Sequence, residues 1–170
     1  MSYESKKTVQ LFTAGLIGIT IMTLFTFGLR AVGFSAPDFP AQYGAILNGQ
    51  VYPASGSALW WLGLAWHFVN GTVIFSFLYE YLVDRGALAE TSRISQGVIY
   101  AAVLWLLTSL TVAPAAGEGT FFRYLTHPGV TAMTALAGWL IYGVVLDRMT
   151  REPSVATLEI YSEHDDRMAA

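Results

Sequence analysis

One histidine stands deep inside an apolar run, His67 in Trp61-Leu62-Gly63-Leu64-Ala65-Trp66-His67-Phe68-Val69-Asn70-Gly71. An imidazole in that setting can ligate haem or a metal, relay a proton, or bond a neighbouring helix to fix its packing. Gly63, His67, Asn70, Gly71 and Ile74 recur at steps of three and four, so on a helix they form one small and polar stripe, while Phe68, Phe75 and Leu82 form another. Asn70, Thr108, Ser109 and Tyr142 are the side chains that could bond the imidazole. The expected site is this stripe, His67, Asn70 and Gly71 together with Tyr142, acting either on a ligand or as an interhelical polar seam.

Other chemistry finds little support. Bis-histidine haem ligation needs two imidazoles at one depth, but His127 falls at the outer edge, about 15 Å from His67 along the membrane normal, and His164 sits in the polar tail. A haem would need Met133, another weak ligand or a partner chain's histidine, and a three-histidine metal site fails for the same reason. The chain has no cysteine, which excludes disulfides and thiolate sites. No Ser/His/Asp set, phosphate loop or paired carboxylates are visible, so neither a catalytic residue nor a metal or resident cofactor is expected. The net charge of -3 gives no electrostatic footprint for nucleic acid.

The elements that position the stripe follow from composition. Of 170 residues, 54% are hydrophobic and only 12% charged, half of the roughly 25% usual for a soluble domain. Lipid is the solvent that such a chain fits. Charged residues divide it into four runs of about 20 residues or more, long enough to cross a bilayer as helices. They lie at about 8–30, 57–83, 94–114 and 128–149, within a domain of residues 1–150 that is followed by a polar tail, 151–170. None shows sustained period-two alternation, and an open sheet in lipid would leave its edge amides unsatisfied. The first run exceeds a signal-peptide core and is read as retained. An all-α, integral membrane four-helix bundle is expected.

Basic residues orient it. Lys6, Lys7, Arg85, Arg93, Arg148, Arg151 and Arg167 fall on one side, only Arg30 and Arg123 on the other, so both termini should be cytoplasmic. Trp60, Trp61, Phe121, Phe122 and Tyr124 would then form an outer aromatic belt, with Tyr79 and Tyr81 on the inner side. Asp38 to Leu47 reads as a short interfacial helix, and the short loop Asp84 to Arg93 would make the second and third spans antiparallel neighbours. Arg30 reads as a snorkelling anchor, Glu80, Asp147 and Arg148 each as a solvated charge at a helix end or as half of an ion pair, and Glu118 with Arg123 as the charged pair of the second outer loop. Ala14 with Gly18, Gly63 with Gly71, and Thr131 with Ala135 would permit close helix approach. The second and fourth spans also superpose without a gap, Leu64, Ala65, Gly71 and Val73 over Leu136, Ala137, Gly143 and Val145. That register sets His67 over Trp139 and, more weakly in the first and third spans, Gly15 over Gly97, as two parallel-repeat hairpins would.

Asp38-Phe39-Pro40, Trp61 to Phe68 with Gly71, Gly97 with Tyr100 and Trp105, and Tyr142-Gly143 together resemble a family of small four-helix prokaryotic membrane proteins of uncharacterised function, over about Thr8 to Leu146. In that family a histidine often precedes the last Tyr-Gly, where this chain has Trp139. The resemblance implies a multi-pass protein of a bacterial or archaeal inner membrane and supplies no activity. The functional expectation is therefore a non-catalytic accessory or assembly subunit of a larger membrane complex, such as a respiratory or photosynthetic one. Its partners would be the lipid bilayer and either larger subunits or further copies of itself. A small-ligand binding or transport bundle using His67 and Asn70 is the alternative, and a haem-binding redox subunit a minor one.

Overall fold

A computed structural model describes residues 3–84 and 95–150; the tail 151–170 and the loop 85–94 between the second and third spans lie outside the described residues. The elements run α1 (Tyr3–Ala31), α2 (Phe39–Leu47), α3 (Ala58–Val69), a π-turn (Asn70–Ile74), α4 (Phe75–Asp84), α5 (Ser95–Leu110), α6 (Val112–Ala115) and α7 (Pro128–Thr150). The α3–π–α4 unit is one continuous rod. Among the described residues, four helices are long and apolar enough to cross a membrane: Ser5–Ala31, Ala58–Val83, Gln96–Ala115 and Pro128–Thr150. They form an all-α bundle.

Contacts along α1 fix the directions. Gln10 Nε2 donates to the Met149 carbonyl at 2.5 Å at one end, and Ser35 Oγ meets Thr131 Oγ1 at 2.6 Å at the other. Hence α1 and α7 are antiparallel. Lys7 pairs with Glu80 at 2.9 Å, while Phe27 stacks on Trp60 at 6.0 Å, so α1 is antiparallel to α3–π–α4 as well. The two ion pairs of α1, Lys7 with Glu80 and Arg30 with Asp38, bracket an apolar rise of about 35 Å, close to a hydrocarbon thickness of about 30 Å. Arg30 is thus paired rather than a lone anchor, and Glu80 is one half of an ion pair.

The sequence echo reappears as geometry. Gly15 and Gly71 bring α1 against the π-turn, where a Cβ on Gly71 would sit 2.5 Å from Ile19 Cγ1. Gly97 and Gly143 bring α5 against α7, where a Cβ on Gly97 would sit 2.6 Å from the Gly143 carbonyl oxygen. Equivalent glycines make equivalent crossings in the two hairpins. The halves differ where Tyr100 holds the position that Gly18 holds in the first hairpin. Gly18 lets α1 close on the Tyr142 ring, at 3.0 Å for an added Cβ, whereas the Tyr100 hydroxyl reaches across to the Phe75 carbonyl. The second and third spans, expected as antiparallel neighbours, do touch, but they are not the most closely packed pair. Instead, α5 packs on α7, α1 packs on both α7 and the π-turn, and α4 meets α5 through side chains such as Tyr79 and Tyr100, rings 5.2 Å apart. A tyrosine wedge, not chain proximity, sets that gap.

The first outer segment also departs from expectation. α2 is not an interfacial helix with one wet face: Phe39 to Ala45 are all buried. Asp38 caps it, accepting from the Ala41 amide at 3.1 Å, and Pro40 stands in its first turn, where the missing N–H leaves no bond unmade. Gly44 and Gly63 then let α2 lie directly on α3, an added Cβ at Gly44 falling 2.9 Å from the Leu59 carbonyl. The expected belts lose two members, since Phe122 packs with Ala113 and Ala135 and Tyr79 is buried, while Trp61, Tyr81 and Tyr124 are exposed.

Candidate functional site

His67 is 1% exposed, and its place follows from the elements around it. α3 points it across the bundle at α1, where Thr23 Oγ1 lies 3.0 Å from Nε2. α2 supplies the ring that covers it, Phe39, stacked at 5.0 Å and 7° from parallel, and Tyr43 tilts in at 5.9 Å. The expected partners bond elsewhere. Asn70 Nδ2 donates to the Trp66 carbonyl at 2.9 Å, Thr108 to that of Leu104 at 2.8 Å, Tyr142 to that of Gly71 at 2.6 Å, and Ser109 Oγ has no partner among the described residues. Thr23 belongs to the first span, whose apolar sequence gave no sign of which turn would face the imidazole.

Gly71 holds the second layer, one turn toward the bundle centre. A π-turn widens the ring to i+5, so Phe75 donates to Asn70, and the local carbonyls are offered sideways. That of Gly71 accepts from both Tyr142 Oη and Ser76 Oγ, the latter at 2.9 Å, and that of Phe75 accepts from Tyr100. Hydroxyls from α5 and α7 therefore stabilise the irregular backbone where lipid could not. Bonds of this kind contribute about 0.6 kcal/mol each in a membrane, whereas a buried group left unpaired costs about 1–3 kcal/mol. Trp139 Nε1 is such a group: the side chain is 1% exposed, packs on Phe39 at 6.2 Å and on Phe75 at 5.5 Å, and has no hydrogen-bond partner among the described residues. The echo positions His67 and Trp139 thus meet the same ring, Phe39.

An outer layer had no counterpart in the sequence reading. Glu118 is 4% exposed and does not pair with Arg123, whose guanidinium lies 4.7 Å from the Tyr124 ring and donates to its hydroxyl. Glu118 instead accepts from Gln42 Nε2 of α2 at 2.6 Å and from the Tyr52 hydroxyl. Burial pushes its carboxyl above the usual range, the two hydrogen bonds pull it partly back, and nearby Asp38 pushes it up again. The Tyr52 phenol is raised by burial and then by the Glu118 charge. The loop that carries Glu118 is strained, with Phe121 at φ 52° and Phe122 at φ 61°, a left-handed region that bulky residues avoid. Beside it Asp38 ties Arg30 to the Trp60 indole, which donates at 3.2 Å, at an open groove of about 390 Å³. At the inner end Asp147, expected as an end charge, is 3% exposed and accepts from the Tyr79 hydroxyl at 2.8 Å, next to a cavity of about 120 Å³ between Lys7, Gln10 and Glu80.

Chemically, the described residues hold no cluster of three or more metal-ligating side chains. What the arrangement offers is hydrogen bonding: a buried imidazole, an indole N–H with no partner among the described residues and a buried carboxyl, spaced along the bundle from its centre toward one end. No curated protein and no solved structure matches the chain. A family model does match, over residues 5–156, and on that match the chain belongs to DUF6789, a family of unknown function.

Proposed function

We propose that this chain is a non-catalytic accessory or assembly subunit of a larger complex in a prokaryotic inner membrane, with both termini on the cytoplasmic side. One observation carries this reading. Trp66 lies beside His67 on α3, yet it faces outward and is 50% exposed, and its indole N–H makes no hydrogen bond among the described residues. His67 is level with Thr23, which places Trp66 about 10 Å below the Arg30 layer, inside the hydrocarbon. Lipid tails offer no acceptor there, although tryptophan normally keeps its N–H at the wet interface. With Leu62 and Val69, also exposed, Trp66 forms a face suited to a transmembrane helix that presents a hydroxyl or carbonyl acceptor. A second copy docking through the same face would oppose donor to donor, so a different subunit fits better.

Purification in a mild detergent, followed by mass spectrometry, tests this. Larger membrane subunits should accompany the wild-type chain and be lost with Trp66→Ala, while Leu110→Ala on the exposed face of α5 retains them. Recovery only as a monomer, or only as a homodimer, would overturn the proposal.

A further inference from the structure

Thr23 has one hydroxyl proton and two close neighbours. Its oxygen is 2.7 Å from the Ile19 carbonyl, which can only accept, and 3.0 Å from His67 Nε2. The Thr23 proton therefore goes to Ile19, and Nε2–H donates to Thr23. A second proton on Nδ1 would set an unpaired charge against the Phe39, Tyr43 and Phe68 rings, so Nδ1 keeps a bare lone pair. It makes no hydrogen bond among the described residues. Trp139 presents the opposite deficiency, a buried N–H with no acceptor among the described residues. An unused acceptor and an unused donor thus pack on one phenyl ring, and that ring belongs to the first residue of a short helix rather than to a spanning helix.

We propose that His67 and Trp139 form a binding site for a neutral hydroxyaromatic lipophile of the phenol class, with Phe39 as its removable stopper. The ligand's ring fills the volume that the Phe39 ring vacates, turned from the stacked orientation toward the plane of the imidazole, because the Nδ1 lone pair lies in that plane. Its hydroxyl donates to His67 Nδ1 and accepts from Trp139 Nε1, which satisfies both orphaned groups at once. A purely hydrocarbon ring fills the same volume and satisfies neither. The stopper is held at the outer end by the Gln42 to Glu118 bond and by the Arg30 and Trp60 contacts of Asp38, and the open groove beside Asp38 leaves room for the start of α2 to shift. This site makes no use of the Trp66 face and stands independently of any partner subunit.

The test uses the full-length protein in lipid nanodiscs, titrated with 4-propylphenol and with propylbenzene and followed by the Trp139 indole nitrogen resonance, assigned with Trp139→Phe. The wild type should bind the phenol about tenfold or more tightly than the hydrocarbon, with a downfield indole shift only for the phenol. Gln42→Ala should tighten binding severalfold by loosening α2. Phe39→Ala should bind both probes more tightly and still favour the phenol. The preference should disappear in Trp139→Phe, which keeps an aromatic ring in place, and in His67→Phe. No phenol binding to the wild type, equal affinity for the two probes, or a preference that survives Trp139→Phe would each overturn the proposal.

Discussion

Glu118 shows how a single residue can set the pH response of the outer end. Its folded-state carboxyl is raised by burial, so the folded protein holds that proton to higher pH than the unfolded chain does. The linked stability is fully present below the ordinary carboxylate range and is lost as pH rises through the raised value. The melting temperature should therefore fall as pH rises above the ordinary carboxylate range, and Glu118→Gln should flatten that slope. An unchanged slope in the variant would assign the effect to another group. At the centre, Thr23→Val removes the acceptor for His67 Nε2–H and should cost about 1–3 kcal/mol, while Thr23→Ser keeps it; thermal unfolding of the pair measures the difference. The sequence made His67 legible, because a lone imidazole in an apolar run must be satisfied. Neither Thr23 nor the Glu118 cluster was legible, because Gln42, Tyr52 and Glu118 come together only through the placement of α2 and two outer loops.

The spanning elements were readable from hydropathy alone, since lipid demands long uncharged helices and gives almost no other choice. Their order around the bundle was not, because a short connection fixes which helices follow one another and not which pack most closely. Tyr100 in place of a small residue decides that, and the π-turn at Asn70–Ile74 answers to hydroxyls arriving from two other helices. The burial of α2 was hidden for a similar reason, its apolar sequence fitting an interface or an interior equally well. What the glycines do at this scale can be measured. Gly71→Ala and Gly143→Ala each force a methyl into an opposed helix and should destabilise by about 1–3 kcal/mol. Gly28→Ala, on the same kind of helix but with nothing within 4 Å of the added carbon, should instead be neutral or stabilise by up to about 1 kcal/mol. Comparable melting losses at all three positions would contradict the assignment of Gly71 and Gly143 to helix crossings.

For the whole molecule, the alternation of helix directions brings the start of α1 and the end of α7 to one end of the bundle, where Gln10 bonds Met149. Asp38, Arg30 and Glu118 gather at the other. Lys6, Lys7 and Arg148 flank the first end and Arg30 and Arg123 the other, so by the positive-inside rule we propose that the first end is the cytoplasmic one. The absence of cysteine allows the arrangement to be tested without background, because any single cysteine introduced is the only thiol present. Ser5→Cys and Ser162→Cys should both resist a membrane-impermeant maleimide applied to intact cells and react after the membrane is permeabilised, whereas Ser55→Cys, in the outer groove, should react at once. Labelling of Ser5→Cys and Ser162→Cys from opposite sides would mean an odd number of crossings, which the alternating helices forbid. Immediate labelling of both would keep the bundle and invert it, placing Glu118 and the Asp38 groove in the cytoplasm and removing the outer face as the side from which α2 can be loosened.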